Sequence, residues 1–254
     1  MKRILQSNLE EIFFMDESFR KILNDFVNEY RQKIYPVPNI QDIQLISDDK
    51  IGGCFHTDDL YNRKYILYLN ENYMQKDTIS LKPLLFHELT HLYDSIELSK
   101  YDYNKYLYLM QIYSEVHASE VEMNVMLKDI EDINVNTIIQ RYNMSIYQYL
   151  MYELKMVSNE FILPDGPILK GQLKLEHKTL YYFIGYLRSI KNHQIEYEIE
   201  YNSKIPSQLL EVMNKITDYY LNNNIVDYEI LYSYEDEFIR ITKEIIIKHR
   251  EQYN

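Results

Sequence analysis

The chain has 254 residues, 46% of them hydrophobic and 26% charged, enough to bury a sizeable core as one large domain or two small ones. Its formal net charge of -12, from 39 acidic and 27 basic residues, repels nucleic-acid phosphates and disfavours anionic bilayers. A single cysteine, Cys54, excludes an internal disulfide and a multi-cysteine zinc cluster. Only five Gly and six Pro favour long helices, so the expected class is α+β, mostly helical. The opening MKRILQSNLEEIFFMDE carries acids where a signal peptide needs an apolar run, and no stretch reaches the apolar length of a membrane span. A cytoplasmic protein without nucleic-acid partners is the expectation.

Residues 8–33 read as an amphipathic helix, with Leu9, Ile12, Phe13, Phe19, Ile22, Leu23 and Phe26 at spacings of three and four; Pro36 and Pro38 stop it. Short strands follow around Ile43 and Leu45, over Ile51–His56, and over Tyr65–Leu69, with Gly52 and Gly53 marking a turn or bulge. From Ser80, taken as an N-cap with Pro83 in the first turn, a helix runs to the high nineties. Further helices are expected over Tyr103–Lys128, Asn136–Asn159, 178–192, 206–223 and 234–250. The last includes the mildly basic Arg240–Arg250, which carries Glu244 and reads as a solvated helix face. The Gly- and Pro-rich stretch Leu163–Gly171 marks the expected division into a region 1–162 and a helical region 163–254.

The string that carries chemistry is Leu84-Leu-Phe-His87-Glu88-Leu-Thr-His91-Leu-Tyr-Asp94. Four residues apart on a helix, His87 and His91 lie one above the other and can offer two imidazole nitrogens to one Zn²⁺. Glu88 lies about 100° round the helix, placed to take a proton from a water activated by the metal. The flanks from Leu84 to Tyr93 are otherwise uncharged, as a helix buried beneath a metal site requires. The competing reading is a buried helix whose histidines are satisfied by neighbours.

A catalytic zinc needs a third protein ligand. Glu115, 24 residues after His91, is the first choice, because that length completes one helix and returns a second antiparallel to it; Glu120, Glu122 and His117 are the alternatives. Glu97 would serve only if the chain turned back at position 94, which holds Asp94 rather than Gly. Asp94 could orient a ligand imidazole. Tyr93, Tyr113 and His117 are candidates to stabilise an oxyanion, although 27 tyrosines make packing the default for any one of them. His56 reads as structural.

These residues resemble the gluzincin metallopeptidases, whose ligands are the histidines of H-E-x-x-H and a glutamate on the following helix. Locally, His87-Glu-Leu-Thr-His91-Leu-Tyr-Asp94 and Ser114-Glu115-Val-His-Ala118 are similar to the strings of the mitochondrial inner-membrane peptidase family that processes an ATP synthase subunit; the ImmA/IrrE-type peptidases look similar more loosely. The match covers about 32 residues of this chain, an eighth of it, and departs from the first family in its single cysteine. The resemblance implies a zincin-like fold, a small sheet over a metal-bearing helix, with His87, His91 and Glu115 as zinc ligands. It also implies Glu88 as catalytic base, and a peptide or protein substrate. The alternative expectation is a zinc-binding regulatory protein that keeps the fold without turnover.

Overall fold

The computed structural model describes residues 17–46, 53–56, 65–70, 72, 78–166 and 178–253. Its described elements are mostly helical, with a small sheet. The chain divides into two compact units, Met1–Met110 with Val121–Lys128, and Gln111–Glu120 with Asp129–Asn254.

In the first unit, α1 (Glu17–Lys33) carries acid at its start and Arg31 and Lys33 at its end, matching the helix dipole. It stops before Pro36 and Pro38 as expected; the portion foreseen over residues 8–16 lies outside the described residues. Three strands follow: β1 (Ile40–Ile46), β2 (Gly53–His56) and β3 (Tyr65–Asn70). β3 is central, parallel to β1 with Ile43 opposite Leu67, and antiparallel to β2 with Cys54 opposite Tyr68. The register shift falls between Ile40 and Asp42; the turn foreseen at Gly52 lies outside the described residues.

The motif helix α2 spans Thr78–Leu98. It begins two residues before Ser80, so Ser80 is not its N-cap, and Pro83 lies inside it rather than in its first turn. Every residue from Leu84 to Thr90 is buried, the pattern of a helix enclosed on all sides. Its apolar residues Leu81, Leu84, Leu85, Phe86, Leu89 and Leu92 join Leu23, Val27, Leu45, Leu67 and Leu69 in one core. A buried polar link joins α1 to it: the hydroxyls of Tyr30 and Thr90 meet at 2.9 Å, while the Thr90 hydroxyl donates to the Phe86 carbonyl at 2.8 Å. Tyr30 also sets its ring edge-on to Phe86, with centroids 5.1 Å apart.

The helix expected over Tyr103–Lys128 is two helices, α3 (Tyr103–Gln111) and α4 (Tyr113–Leu127), broken at Ile112. Asp102 starts α3 by accepting the Lys105 amide at 3.1 Å on its side chain. The break puts Glu115 in the first turn of a new helix, where its negative charge is favoured. The unit division runs through α4, between Glu120 and Val121.

In the second unit, residues 138–145 form no helix but a small hairpin, β4 (Ile138–Ile139) with β5 (Met144–Ser145), tightened by Asn143 at φ 51°. α5 (Ile146–Phe161) starts immediately after it, on a capping box between Ser145 and Gln148. The Ser145-x-x-Gln148 spacing was legible in the sequence and marks the true start. α6 (Lys178–Asn192) and α7 (Ser207–Asn222) fall where expected, while α8 (Tyr228–Tyr253) begins six residues before the expected start at 234. Residues 167–171 of the expected boundary stretch lie outside the described residues. Phe161, Phe183 and Phe238 are fully buried among these helices. At Gly185, α6 touches the backbone of α4: a Cβ there would stand 2.6 Å from the Ser119 Cβ and 2.9 Å from the Glu120 nitrogen.

Two stability predictions follow from these packings. Thr90→Val strands the enclosed Tyr30 hydroxyl and is expected to cost about 1–3 kcal/mol in chemical denaturation, with Tyr30→Phe in the same background restoring part of it. Glu235 on α8 is buried, and that burial raises its carboxyl from 4.5 to about 7 despite the hydroxyl donated by Tyr181. The folded form therefore holds a proton that the unfolded chain releases between pH 4.5 and 7. Stability is lost as pH rises through that window, by about 3 kcal/mol in all. Glu235→Gln should flatten this part of the pH–stability curve, and a curve unchanged from wild type would contradict the assignment.

Candidate metal centre

Helices α2 and α4 carry the candidate ligands His87, His91 and Glu115. On α2, the helical repeat stacks His87 and His91: their Nε2 atoms are 3.0 Å apart and their rings lie at 81°. Two nitrogens each about 2.0–2.1 Å from a tetrahedral zinc stand about 3.4 Å apart, so these are already at nearly the spacing of two ligands on one ion. His87, His91 and Glu115 form a group that could hold a metal ion, with ligand atoms all within 4.8 Å of one another.

On α4, residues 115, 118, 119 and 122 share a face. Ala118 and Ser119 are fully buried, and the small side chains leave room for close packing along this face. Glu122, two turns beyond Glu115, turns its Oε2 to the Nδ1 of His87 at 3.0 Å. A carboxylate beside Nδ1 favours the proton there, the tautomer in which Nε2 is available to ligate a metal. Glu122, an alternative ligand by sequence, thus stands beside a candidate ligand ring, in the orienting position for which Asp94 is also a candidate. Its i+7 spacing from Glu115 was the available signal. Asp94 is buried, 1% exposed, and its charge raises the Tyr30 and Tyr93 hydroxyls behind the larger effect of burial.

The remaining sequence candidates are dispersed. Glu120 accepts from the Arg188 Nε at 2.6 Å and from Asn192 at 2.8 Å. His117 and Tyr113 project from the side of α4 opposite Glu115, where Tyr113 packs edge-on against Tyr228 at 5.0 Å; both line a cavity of about 230 Å³ within the second unit. Tyr93 stacks on Tyr35 at 4.3 Å. Glu97 is exposed on an α2 that continues to Leu98, as expected without a glycine turn. His56 lies on β2, opposite Ile66. Sequence reasoning missed Lys178 at the start of α6, whose ammonium donates to the Glu115 Oε1 at 2.7 Å. Separated by 63 positions, that pair leaves no local signal.

Glu88, Asp94, Glu115 and Glu122 are all buried on these two helices, at 7%, 1%, 4% and 5% exposure. Buried carboxylates are retained against cations or hydrogen bonding, and the Lys178 ammonium meets Glu115 in this way. Two imidazoles and a carboxylate are a donor set that could hold a divalent ion.

Comparison with family models, curated proteins and solved structures returns no match. Among the described residues, no helix is long and apolar enough to cross a membrane.

Glu122→Gln should lower the affinity for added divalent metal 10–100-fold with the helical content unchanged, read by competition with a chromophoric chelator. Equal affinities would mean that Glu122 does not orient His87.

Proposed function

We infer that this chain is a zincin-like metallopeptidase, a hydrolase in which His87, His91 and Glu115 hold one Zn²⁺ and Glu88 acts as the general base on peptide bonds. The observation that carries this reading is the 3.0 Å pairing of two imidazole Nε2 atoms on the buried helix, with Glu115 in reach of both. Two nitrogens and one carboxylate are the donor set of a hydrolytic zinc site, which keeps its fourth position open. Zinc, when bound there, supplies Lewis acidity that brings a water's pKa toward neutrality.

The chain's own residues divide the remaining work. Glu122 faces the His87 Nδ1 at 3.0 Å, placed to orient the ring. Lys178 restrains one oxygen of Glu115 from α6. Glu88, beside His87 and turned about a quarter of the helix away, accepts the water proton at its carboxylate and delivers it to the departing amine. Its burial at 7% exposure keeps competing water from that carboxylate. A site that only stored or sensed the metal would have no use for a buried acid at this position, so the retained Glu88 favours turnover over the regulatory reading.

The test pairs metal content with cleavage. Wild type purified without added metal should contain about one zinc per chain and cleave a denatured proteome-derived peptide library. Glu88→Gln should keep the zinc and lose about 10²–10⁴-fold in rate. Zinc in both with cleavage in neither would end the peptidase reading and leave a binding protein, while no zinc in either would end the metal assignment itself.

A further inference from the structure

The first unit contains a second concavity, of about 510 Å³, away from the imidazole pair. Its floor is apolar, built from Phe86, Val121 and Val125 with the exposed Ile34 at its edge, and its rim is cationic. Lys33, Lys82 and Lys128 converge there on one carboxylate, Glu29. Lys33 and Lys128 meet its Oε1 at 3.1 and 3.3 Å, and Lys82 meets its Oε2 at 2.7 Å. Burial alone would raise the Glu29 carboxyl, yet the three lysines hold it well below the usual range. Lys82 also lies 5.6 Å from the ring centroids of Phe26 and Phe86.

A structural tie between α1 and its neighbours would need one lysine for Glu29. The second and third leave two positive charges in excess, in a chain whose net charge is -12. Three ammonium groups carry nine N–H donors, and Glu29 engages one from each. Charge in excess at a rim, above an apolar floor, is complementary to an anion with an apolar tail, and the volume is that of a small-molecule site. We propose that this pocket binds a small amphipathic anion, its carboxylate or phosphate head on Lys33, Lys82 and Lys128 and its aliphatic tail over Phe86, Val121 and Val125. Lys82 and Phe86 belong to α2, the latter adjacent to His87, so the occupant would press on the helix that bears both histidines.

Calorimetric titration of the full chain with decanoate, decyl phosphate, acetate and decyltrimethylammonium tests this, with decanoate and decyl phosphate separating the two head groups. One of the two decyl anions should bind saturably at a single site, at least tenfold more tightly than acetate or the decyl cation. Lys128→Glu, at an exposed rim position, should weaken that binding at least tenfold, and Lys82→Met should do the same. If Lys82→Met fails to fold, Lys33→Met replaces it. Equal binding of the decyl cation, no saturation with either anion, or unchanged binding in Lys128→Glu would each overturn the proposal.

Discussion

Burying charge on two helices is the constraint on which this structure turns. Glu88, Asp94, Glu115 and Glu122 are nearly inaccessible, and so is His87. Each would cost several kcal/mol if left uncompensated in an apolar interior. The fold meets that cost by convergence: Glu122 meets His87, Lys178 meets Glu115, and two imidazole nitrogens approach to 3.0 Å. The His87, His91 and Glu115 donors could hold a metal ion there, and the proposed chemistry draws on that ion's charge to activate water.

The helices keep their duties on separate faces. α2 sends His87 and His91 to one side, Thr90 to the Tyr30 hydroxyl, and Lys82 to the cationic rim. α4 turns Glu115 and Glu122 one way and Tyr113, His117 and Glu120 the other. With 3.6 residues per turn, substitutions one position apart on these helices therefore act on different neighbours. The i+7 relation of Glu115 and Glu122 lets one rigid helix supply both a candidate ligand and the carboxylate that orients another.

The helices and strands most legible from the residues were those with sustained apolar periodicity: α1 up to its proline stop, the strand over residues 65–69, α6 and α7. The misreadings have local causes. Ile112 interrupts an apolar pattern that continues across it, so two helices read as one. The hairpin at residues 138–145 is too short to show a period, and only the Ser145 capping box betrays where α5 starts. Ser80 has the chemistry of a cap yet lies within a helix already begun at Thr78.

By itself, the sequence determined the spacing that places His87, Glu88 and His91 on one helix, because i, i+1 and i+4 relations depend on helix geometry alone. It also limited the third position to a few acids and one histidine on the next long helix. Only the tertiary structure separates their surroundings: Glu115 belongs with the two histidines to a group that could hold a metal ion, Glu120 meets Arg188 and Glu122 lies at the Nδ1 of His87. The physical reason is that a side chain's neighbours depend on which helix faces meet within each unit. That is set by close approaches such as Gly185 against α4 and Tyr30 against Thr90, between residues far apart in the chain.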